Sequence, residues 1–405
     1  MAKKAKTLGD QFTDANLPNY DHLLELDNLK VYFHTQDGVV KSVDGVSFTL
    51  DAGETLGVVG ESGSGKSVTA MSILGLVPMP PGQIHEGDIR FKGLSLLDMK
   101  EPDMQVIRGN HIAMIFQDPL SSLNPVYRVG QQVGEGLVIH RGLSKQQALA
   151  KAVQLLDMVG IPNPELRVKD YPHQFSGGMR QRAMIAMALA CEPEILIADE
   201  PTTALDVTIQ AQIIELMQRM QSEHGTAIIM ITHDLGVVAD MADRILVMYA
   251  GKPVEYGTAE QIFYEPLHPY TWGLMRSIPK RTLDNDQPLT PIRGNPPSLI
   301  DLPPGCAFSE RCPYARERCL VDEPIMQRIG DEHYSACFFS RDSEFLLNSP
   351  IHDAEEDKPP VGALDTGDLA AGEAGGVGAG DLSAGDLIAG WVNDLSAGEA
   401  GELDG

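Results

Sequence analysis

Gly60-Glu61-Ser62-Gly63-Ser64-Gly65-Lys66-Ser67 is the stretch on which the rest of the chain turns. It fits G-x-x-x-x-G-K-[ST], the phosphate-binding loop. The run before it, Glu54-Thr55-Leu56-Gly57-Val58-Val59, is apolar and β-branched and predicts a buried strand; the run Val68 to Leu76 predicts a helix. Strand, glycine loop and helix in that order give the motif its physical sense. Glycines let successive backbone N–H groups point into one concavity and approach phosphate oxygens closely. The helix N-terminus adds its positive dipole end. In such a loop Lys66 holds the β- and γ-phosphates and the Ser67 hydroxyl a magnesium ion.

Outward from the loop, the chain alternates strands and helices. Leu23 to Leu50 alternates apolar and polar residues around Asp37-Gly38, which predicts a hairpin or small antiparallel sheet. Residues 77–93, rich in Pro and Gly, predict a loop. Ile112 to Phe116 predicts a short buried strand ending at Gln117, and residues 130–190 are mostly helical by period. Glu194 to Asp199 predicts a second buried strand, Ile209 to Gln221 a helix, and Thr226 to Thr232 a third strand ending at His233. Arg244 to Met248 continues the sheet. This order implies a mainly parallel α/β core.

At the end of the second strand, Asp199 is placed to organise a magnesium shell, and Glu200 to polarise a water for in-line attack on a γ-phosphate. Either acid alone is an ordinary turn or helix cap. After so apolar a strand, in a chain that also carries the glycine loop, the pair reads as the second half of a nucleotide site.

Composition narrows the function class. The 405 residues suffice for two domains. Lys+Arg is 31 against Asp+Glu 57, a net charge of -26, of which 15 acids against 2 bases lie from Arg341 onward. An acidic body argues against nucleic acid as the main partner. No stretch approaches 18 consecutive apolar residues, and no apolar core follows the basic start at Lys3-Lys4, so neither a membrane span nor a secretory signal is expected. The chain is expected in the cytoplasm, where its five cysteines are not expected to pair as disulfides.

Three further pieces resemble the ATP-binding-cassette (ABC) ATPases. Phe175-Ser176-Gly177-Gly178-Met179 is similar to their L-S-G-G-Q signature, with Phe and Met in place of the usual Leu and Gln. It stands before a helix, so Ser176, Gly177 and Gly178 offer an anion site. Gln117 stands where the family has its Q-loop glutamine, His233 resembles the switch histidine, and Thr203-Ala204-Leu205-Asp206 the D-loop. The resemblance covers residues 23–260. It implies an α/β fold: a P-loop NTPase nucleotide-binding domain with a RecA-like core, an antiparallel β subdomain and an α-helical subdomain. It also implies two domains closing head to tail on two ATPs. Gly60, Glu61, Ser62, Gly63, Ser64, Gly65, Lys66, Ser67 and Val68 would bind one ATP. Ser67, Gln117 and Asp199 would hold magnesium, and Glu200, His233, Lys66 and Gln117 would carry the chemistry. Ser176, Gly177, Gly178 and Asp206 would contribute to the composite site, and Phe33, with Tyr32 as runner-up, would stack on adenine. A place in the sheet core is nearly as good a reading of Phe33.

The wider wording resembles the D-type ATPase of oligopeptide and dipeptide permeases, over about 23–340. The pieces are Phe175 to Leu189, Leu196 to Thr208, Glu265-Pro266-Leu267-His268-Pro269-Tyr270-Thr271-Trp272-Gly273, and Arg293 to Cys306. This implies an importer ATPase at the cytoplasmic face of the inner or plasma membrane. Its partners would be a second, F-type ATPase, two transmembrane permeases and an extracytoplasmic solute-binding protein. Peptide is the expected cargo, with nickel or glutathione as alternatives. A soluble cassette ATPase acting on DNA or ribosomes is the competing class, disfavoured by the single cassette and the acidic balance.

The expected organisation is a flexible N-terminus over 1–22, the ATPase domain over 23–262, a Pro-rich extension over 263–345 and a disordered acidic Gly/Ala/Asp tail over 346–405. Its low complexity leaves too little apolar surface to offset ordering entropy. Within the extension, Cys306, Cys312, Cys319 and Cys337 fall within 32 positions. Four clustered thiols in a cytoplasmic chain suggest a metal site. Zinc usually takes tight C-x2–4-C pairs, which are missing here, whereas a [4Fe–4S] cluster tolerates wider loops; zinc stays the alternative. Cys191 lies apart and reads as a core residue.

Overall fold

The structure, a computed structural model, describes residues 18–202, 205–277 and 292–346. Two sheets organise it. The first has four strands in the order β2-β1-β4-β5: β1 (Leu24–Thr35), β2 (Gly38–Leu50), β4 (Gly82–Phe91) and β5 (Leu94–Ser95). The β1–β2 hairpin forms about Asp37-Gly38 as expected. The expectation of a loop over 77–93 is corrected: only its start is irregular, and β4 pairs antiparallel with β1 from Leu24↔Phe91 to Phe33↔Gly82. Prolines and glycines dominate the composition there, but Ile89 and Phe91 are buried against Leu24, Leu26 and Val31. Cross-strand burial outweighs the local turn propensity.

The second sheet has eight strands in the order β11-β12-β10-β9-β3-β8-β7-β6. They are β3 (Thr55–Val59), β6 (Ile112–Ile115), β7 (Ile195–Asp199), β8 (Ala227–Ile231), β9 (Arg244–Tyr249), β10 (Lys252–Thr258), β11 (Gln327–Arg328) and β12 (Tyr334–Ser335). From β6 to β9 the pairing is parallel. β3, β6, β7 and β8 are buried along their whole length, which is why each reads as an unbroken apolar run. β10, absent from the sequence reading, turns back antiparallel on β9, and β12 of the extension pairs with β10.

Residues 119–189 form the helical part. Here the long helical stretch is broken into short pieces, with Lys145–Met158 and Gly177–Leu189 the longest. The first is closed by a capping box in which Ser144 and Gln147 bond each other's backbone N–H. Cys191 is buried just past the end of Gly177–Leu189, not on the helix itself. Tyr270 and Phe308 of the extension join Val59, Val247 and Tyr249 in one buried cluster. Among the described residues no helix is long and apolar enough to cross a membrane. The expected N-terminal segment up to residue 17, Thr203 and Ala204 of the D-loop, and the acidic tail from 347 lie outside the described residues.

Candidate functional site

The parallel strands end along one edge, and the phosphate loop with the expected magnesium and water-activating residues stands on it. The loop from Gly60 follows β3, Gln117 follows β6, Asp199 closes β7 with Glu200 behind it, and His233 lies two residues beyond β8. In open parallel sheets this carboxyl edge is where ligands bind. The helix after the loop runs Lys66–Ile73, starting two residues earlier than the sequence suggested. The loop therefore passes directly into the helix N-terminus.

Two glycines of the loop are sterically required. Gly60 has φ 149 and Gly65 φ 101. A Cβ on Gly60 would collide with the Met248 carbonyl oxygen, and one on Gly65 with that of Ser42. The loop is thus pressed onto β9 and β2, and Gly251, in the β9–β10 turn, donates its N–H to Ser64 O at 3.1 Å. Lys66 is buried, its Nζ donating to Gly60 O at 2.7 Å, Glu61 O at 2.8 Å and Ser64 Oγ at 3.3 Å. Burial pushes its ammonium pKa down, against the opposing pull of Glu200, Asp199 and Glu61.

Asp199 is buried, and burial pushes its carboxyl pKa up, opposed by a hydrogen bond from the Ser67 hydroxyl. Its Oδ1 is buried without a hydrogen-bond partner. An orphaned carboxylate oxygen beside a serine hydroxyl at the mouth of a phosphate loop fits a hard divalent cation that brings its own waters. Glu200 sits at φ 47, its N–H donating to Ile231 O at 2.8 Å. Gln117 Nε2 donates to Glu200 Oε2 at 3.1 Å, and His233 Nδ1 lies 3.3 Å from Glu200 Oε1. Gln117, Glu200 and His233, from three different strands, thus meet at one carboxylate.

The signature residues stand elsewhere. Ser176 caps the helix Gly177–Leu189, its Oγ accepting from Met179 N at 3.3 Å; Ser176 and Gly177 are exposed, while Phe175 is buried. Phe175 keeps the apolar anchor and leaves the Ser-Gly-Gly amides at the surface. Further along, buried Gln181 Nε2 donates to Pro201 O at 2.7 Å, tying this helix to the turn after Glu200. Asp206 caps Val207–His224, accepting from Ile209 N at 3.1 Å. Phe33 is half-buried and packs on the sheet core beside Gly82. Tyr32, on the opposite face, donates to Asp44 Oδ1 at 2.8 Å and stacks on His85.

Sequence reasoning missed a set of residues from the extension. Tyr270 OH accepts from Glu61 N at 2.8 Å, inside the phosphate loop. Arg311 pairs with the Glu61 carboxylate through both ends of its guanidinium, at 2.5 and 2.9 Å. A separation of 250 residues leaves no local signal for such a pair.

The four clustered cysteines line one cavity together with His268, Phe308 and Tyr314. Backbone N–H groups of Phe308 and Ser309 point to Cys306, of Tyr314 to Cys312 and of Phe339 to Cys337. Burial pushes the Cys312 thiol up to about 12 and the Cys337 thiol up to about 11. Among the described residues no three His, Cys, Asp or Glu side chains are placed to hold one metal ion, which supports neither the expected [4Fe–4S] cluster nor the zinc alternative.

The family model described as "ABC transporter" matches residues 43–203, and that for the "Oligopeptide/dipeptide transporter, C-terminal region" matches residues 254–319. The chain is 55% identical over 312 residues to the oligopeptide transport ATP-binding protein OppD of Bacillus subtilis, across 77% of this chain and 87% of that relative. It is 53% identical over 318 residues to the dipeptide transport ATP-binding protein DppD of the same organism, across 78% and 95%. Among solved structures, a dimeric ATP-binding cassette in a post-hydrolysis state bound to ADP and Pi matches with TM-score 0.54 and 27% identity, over 58% of this chain and 98% of that one.

Proposed function

The chain belongs to the ATP-binding subunits of ABC transporters, and from that premise we propose that it hydrolyses ATP to energise the import of oligopeptides or dipeptides. The observation that carries the chemistry is the meeting of Gln117, Glu200 and His233 beside the orphaned Asp199 oxygen. The cargo follows from the relatives' names and from the matched C-terminal region.

In this reading the amides from Gly60 to Ser67 and the start of the helix at Lys66 bind the phosphates. Lys66 exchanges the carbonyls of Gly60 and Glu61 for phosphate oxygens, which suits an ammonium already stripped of water. Magnesium supplies charge compensation at the β- and γ-oxygens when bound; Ser67, Asp199 and Gln117 would hold it. Glu200 accepts hydrogen bonds and aligns the attacking water, while Gln117 and His233 fix the rotamer of its carboxylate. Phe33 and Val68 are assigned to the nucleotide's contact set, with Asp206 at the rim. Ser176, Gly177 and Gly178 serve the site of a second ATPase subunit of F type. Two permeases and an extracytoplasmic binding protein complete the importer, with this chain peripheral on the cytoplasmic face.

We assign the four cysteines to a [4Fe–4S] cluster. What supports this reading is that the four cysteines line one cavity and that backbone N–H groups point to three of them, as thiolate ligands of a cluster would require. Iron and acid-labile sulfide in anaerobically purified chain check it; zinc without sulfide would refute the assignment. For the transport function, the purified membrane complex in lipid should show ATP hydrolysis stimulated by peptide-loaded binding protein. Stimulation by nickel or glutathione and by no peptide would reassign the cargo. Recovery of the chain only with ribosomes or DNA would overturn the transporter reading.

A further inference from the structure

The extension reaches into the phosphate loop at Glu61, whose side chain has no part in the chemical step described above. Glu61, the second residue of the loop, is held at two points. Its N–H donates to Tyr270 OH at 2.8 Å, and its carboxylate takes both ends of the Arg311 guanidinium at 2.5 and 2.9 Å. The Arg311 side chain is 5% exposed. Its other donors are also used: Nε to Arg293 O at 2.9 Å and Nη1 to Tyr249 OH at 3.2 Å. Its face lies over the Tyr249 and Phe308 rings. A planar guanidinium held on so many sides is a fixed fork, which a lysine could not replace.

The fork is built by the cysteine segment. Arg311 directly precedes Cys312, whose N–H donates to Phe308 O at 2.9 Å, and Phe308 packs edge-on against Tyr249 at 5.2 Å and Tyr270 at 5.4 Å. One short turn therefore presents a thiol to the cysteine cavity and a guanidinium to the nucleotide loop. The segment is itself anchored by buried Glu255 on β10, which accepts from His333 Nε2 at 2.9 Å and Thr271 Oγ1 at 2.6 Å. Glu61 O in turn accepts from Lys66 Nζ at 2.8 Å and from Ser64 N at 3.2 Å. The backbone that Arg311 and Tyr270 fix is the same backbone that shapes the phosphate cradle.

We propose that Arg311 is a positioning residue for ATP binding, through which the four-cysteine segment holds the phosphate loop in its binding-competent shape. The inference rests on the ATP-site reading and adds a control to it: loosening the cysteine segment lowers nucleotide affinity. Because Arg311 and Tyr270 touch Glu61 and not the γ-phosphate or the attacking water, their loss acts on binding and spares the chemical step.

The test uses the full chain in its membrane complex. MgATP affinity is measured by equilibrium titration, with KM and kcat for hydrolysis, for Arg311→Ala, Glu61→Gln, the double variant and Tyr270→Phe. The last removes one oxygen and leaves the ring packing, so it serves if Arg311→Ala does not fold. Expected are a loss of affinity of about five- to tenfold in each single variant, with kcat at saturating ATP within about twofold. The double variant should be no weaker than the worse single one, since both remove the same contact. Unchanged affinity in Arg311→Ala and Tyr270→Phe, additive losses in the double variant, or a fall in kcat at unchanged KM would overturn the proposal. Failure of the unmutated complex to bind MgATP would overturn this inference and the ATP-site reading together, whereas the other results leave that reading standing.

Discussion

At the scale of single residues, the site separates holding the nucleotide from activating water. Glu200 keeps its place through Gln117 and His233, and its charge is what the water needs. Glu200→Gln retains the shape and removes the charge. We expect MgATP binding within a few-fold of the parent and turnover lower by about 10²–10⁴-fold; turnover near the parent's in steady-state assays would reject the assigned role. Gly65 tests the other half. At φ 101, with the Ser42 carbonyl where a Cβ would go, Gly65→Ala must move the loop off β2. MgATP affinity should fall by about tenfold or more, because a displacement of one peptide misdirects several N–H donors at once. Isothermal titration reads this directly, and an unchanged dissociation constant would mean that the loop tolerates the shift. The motifs already set Gln117 and His233 beside Glu200, but nothing in the sequence points to the contact that Gly65 makes. The motif announced that Gly65 is special, but only the structure names Ser42 as the reason.

At the scale of elements, the parallel core was legible because each of its strands is an unbroken apolar run bounded by a motif residue. What escaped was held by partners distant in the chain. β4 carries Gly82, Gly87 and a preceding proline run, and its strand character comes from pairing with β1. β10 buries Val254, Glu255 and Gly257, a pattern without an apolar run, and Glu255 can be fully buried because His333 and Thr271 satisfy its carboxylate from the extension. The two sheets are joined by a similar long-range contact. Glu194, just before β7, binds Lys92 beyond β4 at 2.6 Å and His111 before β6 at 2.8 Å. Burial pushes the Glu194 carboxyl up, but the hydrogen bonds from His111 and Lys92 outweigh it and hold its pKa below the ordinary range. A carboxyl depressed in the folded state stabilises above its unfolded pKa and loses that contribution as pH falls through the folded value. Glu194→Gln leaves the buried Lys92 ammonium without that carboxylate; because the Glu194 side chain is 37% exposed and solvent screens the pair, the cost at pH 7 should be about 1 kcal/mol. The gap should begin to narrow as pH falls below the ordinary carboxyl value of about 4.5 and should close only below the parent's still lower folded-state pKa. Urea midpoints across this pH range measure it, and a gap that is constant with pH would remove the ion pair as its cause.

At the scale of the whole molecule, the proposed function divides this chain's residues between two sites. The loop, Asp199 and Glu200 gather on the carboxyl edge of the sheet, while Ser176 and Gly177 stand exposed at the start of another helix. The head-to-tail pairing of two such chains remains part of the proposed function, and the solved cassette that matches this fold is itself described as dimeric. By its composition the acidic tail is expected to contribute to neither half. Truncation after Ser349 should leave MgATP affinity and complex turnover unchanged, and loss of either would give the tail a role. The signature makes the sharper demand. Ser176→Arg fills the exposed surface that, in the proposed function, caps a neighbour's γ-phosphate, and it lies outside this chain's own loop. Binding of MgATP by the chain alone should therefore stay within about twofold of the parent, while turnover of the assembled importer falls by about 10²-fold or more, the scale of losing one transition-state donor. Equal loss of both would mean that the substitution damages the helix Gly177–Leu189 itself. Loss of neither would mean that the second ATPase subunit completes its site without Ser176, and that the two halves are not reciprocal.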